Sequence, residues 1–319
     1  MKPILWKLLV SIIVVLLSTS ACGSTLPSGC PANCIAANLM GKDLENVNFS
    51  NARLIEANLR KANLSGANLS QADLSGATLI DTNLENSKLN GAFLIGANLT
   101  KAHISHADLS SADLTGANLT LAVLTGAILK QTNLSGVDFI QTEMIGADLS
   151  GMKLNAAVFR NANMSGVNLS NSNLRGANLS GANVSGSLIS NAIMAGTWLN
   201  KTNLASTNLS GTDLSGASLY AADLSGANLQ NTNLKGVNLV GAELGGADLR
   251  GANLEGAIFN VADFNDTSMI DNDIVITILN KAAQTALMKD ANLCGARYNA
   301  QTRWSAEFSI PTCAVLIEN

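Results

Sequence analysis

From Cys34 to Met269 the chain keeps one period, five residues long, and that period excludes every continuous regular element. The central residue of each block reads Cys34, Leu39, Leu44, Phe49, Leu54, Leu59 and so on to Phe259, Phe264 and Met269, and all 48 are apolar. Against a background of 47% hydrophobic residues, chance would give such a column with a probability of about 10^-16, counted as matches to one template. Two residues before the centre stands Ala, Ser, Thr or Val in 46 of 48 blocks, the exceptions being Lys42 and Met152. Just before the centre stands Asn or Asp in 31 of 48. In an α-helix five residues advance about 500°, so the leucines would spiral without forming a stripe. In one long strand, successive leucines would point to opposite faces. Each block must therefore contain its own change of direction, and the chain must coil about an axis to keep every leucine inside. Gly66, Gly76, Gly116 and Gly176, two residues after the centre, supply the dihedral freedom such turns need.

Stacked coils can pair their backbones at about 4.8 Å, as neighbouring strands do. The interior then receives small and large side chains in alternation, which suits a narrow packed shaft. The four prolines, Pro3, Pro27, Pro31 and Pro311, all lie outside the blocks. That fits a body whose amides are committed to pairing between coils.

The blocks Ala62 to Gly66 (Ala-Asn-Leu-Ser-Gly) and Ala72 to Gly76 (Ala-Asp-Leu-Ser-Gly) closely resemble pentapeptide-repeat proteins, over about three quarters of the chain. The resemblance implies an all-β solenoid, a right-handed quadrilateral β-helix with four blocks per coil. The 48 repeats would then make twelve coils, a shaft of roughly 55–60 Å. In that family the central residue and the one two before it face inward, in agreement with the reading above.

The ends differ from the middle. Lys2 and Lys7 precede an apolar run from Leu8 to Leu17, followed by Ser18-Thr19-Ser20-Ala21 and Cys22. This is the layout of a secretory signal peptide, with an apolar run short for a membrane span. The small residues before Cys22 resemble the lipobox of bacterial lipoproteins, with Thr19 where Leu is commonest, which implies acylation of Cys22. Cleavage near Ala21 or an uncleaved anchor helix are the alternatives. At the other end, Asp271-Asn272-Asp273 offers capping residues, and Val275, Ile278, Leu279, Ala282, Ala286 and Leu287 recur at helical spacing. A helix over about 273–289 is predicted. Blocks restart at Ala291-Asn292-Leu293 and Ala296-Arg297-Tyr298, and the tail with Thr302, Trp304 and Phe308 resembles the closing segment of many family members. The expected organisation is a signal peptide over 1–21, an N-terminal linker or cap over 22–33, the repeat β-helix over 34–270 and a C-terminal helix with cap over 271–319. Open solenoid ends expose apolar shaft and unpaired edges, so caps are expected.

Five cysteines, Cys22, Cys30, Cys34, Cys294 and Cys313, make an odd count, which lipidation of Cys22 explains. The remaining four form two local groups that an oxidising compartment lets pair as Cys30–Cys34 and Cys294–Cys313. A free buried thiol at Cys34 is the alternative. Zinc is disfavoured, since neither group has CxxC spacing or a nearby histidine.

Chemistry-bearing constellations are scarce. His103 and His106 are the only histidines, and both fall on outward positions where solvated surface is the expected role. No phosphate loop, dinucleotide fingerprint, nucleophile elbow or zinc-protease motif occurs, so no catalytic residue, metal or cofactor is expected. With 19 Lys and Arg against 23 Asp and Glu, direct nucleic-acid binding is disfavoured. Two surface irregularities remain. Residues twenty apart should stack, which puts Asp223, Glu243 and Asp263 in an acidic column interrupted by Asn203. Leu188, Ile193 and Trp198 occupy outward positions where Asn or Asp is the rule, on three successive faces of one coil, and form a candidate interaction patch.

The reading is a non-enzymatic, exported, lipid-anchored β-helix serving as an envelope scaffold or protein-interaction module. Its expected partners are the membrane, through the N-terminal lipid, and a protein. The alternative is a DNA mimic like the family members that protect bacterial gyrase. Without Lys2 and Lys7 the chain carries 17 basic and 23 acidic residues, a net −6, modest for a mimic, and export would separate it from that target.

Overall fold

The computed structural model describes Leu26, residues 30–254 and 256–258, and the pairs 273–274, 297–298 and 315–316. Through the repeats every block repeats one local geometry. In Ala62 to Gly66, Ala62 and Leu64 are buried while Asn63 sits between them at the surface. Ala67 N–H then donates to Leu64 C=O at 3.0 Å, closing a four-residue turn over Ser65 and Gly66. The third residue of that turn carries φ of +64°, the left-handed conformation that a type II turn requires there. Gly176 holds the same place with φ +67°.

Four such turns close one coil. Asn38 bridges Asn58, Asp43 bridges Asn63 and Asn48 bridges Asn68, each pair parallel and twenty residues apart. Each register is held from both sides: Leu39 N–H donates to Asn58 C=O at 2.8 Å, and Asn58 N–H donates to Ala37 C=O at 2.9 Å. The molecule is thus a β-solenoid whose strands are single bridging residues between turns. Inside, the central side chains stack leucine on leucine, fully buried, each contributing about 2 kcal/mol of burial. Where the small inward residue is Thr, its hydroxyl is satisfied: Thr82, Thr202 and Thr212 donate to the carbonyls of Leu59, Leu179 and Ile189.

One level departs from this ladder. Among the described residues, the bridges Ile128 to Asp148 and Asn133 to Lys153 are missing, although their neighbours on both sides pair. The N–H groups of Gly126, Leu129, Gln131, Leu134 and Gly136 lack the carbonyl nineteen residues on, and those of Asp148 and Lys153 lack the carbonyl twenty-one residues back. A cleft of about 1130 Å³ opens there across two faces. Met152 lines it, one of the two inward positions that break the small-residue rule. Its side chain carries three more heavy atoms than alanine into a shaft packed for alanine, and overpacking of this kind forces neighbours apart. Lys42, the other exception, lies in the first coil of the described shaft, with no described coil beneath it to displace.

Near the C-terminus three short parallel strands follow: β1 (Asp273–Ile274), β2 (Arg297–Tyr298) and β3 (Val315–Leu316), in the order β1-β2-β3. The predicted helix over 273–289 is corrected at its first two residues, which are strand. Asp273-Ile274 has the Asn/Asp-then-apolar form of the repeats, and here it pairs in parallel with Arg297 and Tyr298. The rest of that segment lies outside the described residues.

Candidate interaction surface

Outside the shaft, the bridging position is a column of polar side chains with short local tasks. Asn63 Oδ1 accepts from Ser65 N–H at 3.2 Å and from Asn83 Nδ2 at 3.2 Å. It therefore braces its own turn and links to the coil above. Repetition of this arrangement makes the levels of the shaft alike, so departures from it are what a partner can distinguish.

Leu188, Ile193 and Trp198 are the departures singled out from sequence. They are exposed by 50%, 40% and 56%. Leu188 bridges Asn168 and Asn208, Ile193 bridges Asn173 and Asp213, and Trp198 bridges Asn178 and Ser218. Each apolar side chain thus stands between polar residues on its own face, and the three faces follow one another around a single coil. Their backbones keep the ladder, with Trp198 N–H donating to Ala177 C=O at 2.9 Å. The side chains stand outside the shaft with about half of their surface open, which leaves them available for contact.

Sequence reasoning passed over other exposed apolar residues, including Phe93, Leu121, Ile128 and Tyr220. Phe93 and Ile128 occupy the same bridging position as Trp198, so the signal was present. Ile128 lies at the cleft.

The remaining candidates behave as follows. His103 and His106 are exposed, and among the described residues no group of three or more His, Cys, Asp or Glu could hold a metal ion. Asp223 bridges Glu243 and Asn203; Asp263 lies outside the described residues. Cys30 and Cys34 are brought together as a disulfide pair, with Cα atoms 5.2 Å apart and Cys34 buried. Cys22, Cys294 and Cys313 lie outside the described residues, as do the signal-like segment and the tail with Thr302, Trp304 and Phe308. Among the described residues no helix is long and apolar enough to cross a membrane.

A polar cluster not anticipated from sequence lies near the C-terminal end of the described repeats. Asp248 pairs with Arg250 and accepts from Gln230 Nε2 on the adjacent coil. Hydrogen bonding from Arg250 pulls the Asp248 carboxyl down to about 2, against the cost of partial burial.

Several known proteins are similar to this chain. Solved structures include HetL, a pentapeptide repeat protein involved in heterocyst differentiation regulation in the cyanobacterium Nostoc. It is 33% identical over 72% of this chain and 89% of its own, with a TM-score of 0.27. A pentapeptide repeat protein of the Arabidopsis thaliana thylakoid lumen is 33% identical over 32% of this chain and 68% of its own, with a TM-score of 0.21. QnrB1, a plasmid-mediated fluoroquinolone resistance protein, is 17% identical over 61% of this chain and 89% of its own, with a TM-score of 0.36. Comparison with curated proteins yields no match. The family model for pentapeptide repeats matches in overlapping stretches from 32–66 through to 238–271, and with the twenty-residue coil register this makes the chain a member of the pentapeptide-repeat family.

Proposed function

We propose that this protein is an exported, lipid-anchored, non-enzymatic shaft that acts as a protein-interaction scaffold at the bacterial cell envelope. The observation that carries the reading is the placement of Leu188, Ile193 and Trp198, exposed on three successive faces of one coil. Tryptophan is enriched among interface hot spots because it buries a large area around one polar handle. A partner using all three residues would wrap two corners of the shaft.

Export rests on the signal-like segment ending at Cys22 and on the proximity of Cys30 and Cys34, which an oxidising compartment keeps bonded. We assign Cys294 and Cys313 the same role at the opposite end. The solenoid is read as right-handed, the sense that parallel crossover connections take.

Two measurements test the proposal. Metabolic labelling with a fatty acid is expected to tag the wild type and not Cys22→Ser; equal labelling of both removes the lipid anchor. Trp198→Ala is expected to leave the melting temperature nearly unchanged and to weaken envelope crosslinks. A much lower melting temperature would mean that Trp198 supports the fold, and unchanged crosslinking would remove the patch.

A further inference from the structure

The cleft at Met152 bears on a different kind of contact, and it stands apart from the Trp198 coil. Its two lips are edges of a β-ladder. On one, the N–H groups of Leu129, Gln131 and Leu134 have no partner; on the other, the N–H groups of Asp148 and Lys153 have none among the described residues. The carbonyls that these donors would meet in a regular coil are likewise left out of the ladder. An edge of this kind is a template for a further strand. The opening of about 1130 Å³ has room for a short peptide segment beside these edges.

The charge at the cleft selects among such segments. Lys130 and Lys153 line it from opposite lips, both exposed, and neither has an ion-pair partner among the described residues. The single carboxylate there, Asp148, has its Oδ1 engaged by Ser150 N–H at 3.0 Å. The cleft therefore sets two ammonium groups against one carboxylate, a net positive charge, beside unpaired backbone donors and acceptors. We propose that it is a β-augmentation site for an extended, acidic peptide segment of a partner protein, seated between the coils that Met152 holds apart.

The test uses the full chain and three capped peptides of about four residues, a short strand that one face can pair: alternating Glu and Val, alternating Lys and Val, and the first with prolines at alternate positions. In the free protein, the amides of Leu129, Gln131 and Leu134 are expected to exchange with solvent at least about tenfold faster than those of Leu169 and Leu174, which are paired. The Glu-Val peptide should bind and slow them. The Lys-Val peptide should bind at least about tenfold more weakly through like-charge contact, and the proline peptide should not bind, lacking the N–H groups that pairing needs. Met152→Ala is expected to close the ladder, protect these amides and abolish binding. Lys130→Glu with Lys153→Glu, both outside the shaft, should weaken the acidic peptide about tenfold with the melting temperature kept. Protection in the free protein equal to that of Leu169 would overturn the proposal, as would failure of the Glu-Val peptide to bind or equal binding of the three peptides. None of these results bears on the Trp198 patch.

Discussion

At the scale of single residues, neighbours in the sequence carry opposite loads. Leu169 is fully buried in the shaft, whereas the adjacent Asn168 bridges the coils with its side chain at the surface. Asn168 Oδ1 accepts from Ser170 N–H at 3.1 Å, a task that a carboxylate performs equally well. Leu169→Asp would place a carboxylate among leucines with no donor to receive it, at a cost of about 4 kcal/mol or more. Asn168→Asp should stay within about 0.5 kcal/mol of wild type. Thermal or denaturant melts of the two variants check the assignment, and equal stabilities would overturn it. This alternation was legible from the chain because a period of five admits one inward pair per turn. The exposure of Ile128 follows the same rule, since it stands at a bridging position like Phe93 and Trp198; the cleft beside it was not legible, because it depends on how two whole coils stack.

At the scale of the coil, stability comes from stacking like on like every twenty residues. Phe139 and Phe159 show the consequence: their rings stack at 4.8 Å between centroids and 6° between planes, the spacing of neighbouring strands. That pair could be read from the sequence once four blocks make a coil. The Asp248–Arg250–Gln230 bracket could not, because Arg250 occupies a turn position where many residue types occur and only the fold shows which carboxylate it meets. Its contribution has a definite sign with pH. Asp248 titrates at about 2 when folded against an ordinary 3.8, so the stabilisation is present above the ordinary value and is lost as pH falls through about 2. Both side chains are substantially solvated, so the effect is small and screened by salt. Arg250→Ala should melt slightly below wild type at neutral pH, and the gap should close between pH 4 and pH 2. A gap that persists at pH 2 would show that Arg250 acts through packing of its stem.

For the whole molecule, the question is whether the shaft behaves as one body. In a solenoid each coil touches only its neighbours, so cooperativity depends on every interface between them. The interface between residues 126–136 and 146–156 lacks its backbone bonds on two of four faces. At about 0.5–1.5 kcal/mol for each bond, it is weaker than a regular interface by roughly 5 kcal/mol. Phe139 on Phe159 and the bond from Phe139 N–H to Val158 C=O at 2.7 Å still join the two sides. The sequence marks the place, since Met152 breaks the small-residue column, but a count of exceptions treats it like Lys42. Only the stacking of a full coil on each side makes its bulk consequential. Denaturation of wild type is therefore expected in two steps, with amides on the two sides of the cleft losing protection at different denaturant concentrations. Met152→Ala should restore the missing bonds and merge the steps into one, with a higher midpoint for the weaker block. A single transition in wild type, with all coils losing protection together, would mean that the two paired faces suffice to couple the shaft across the cleft.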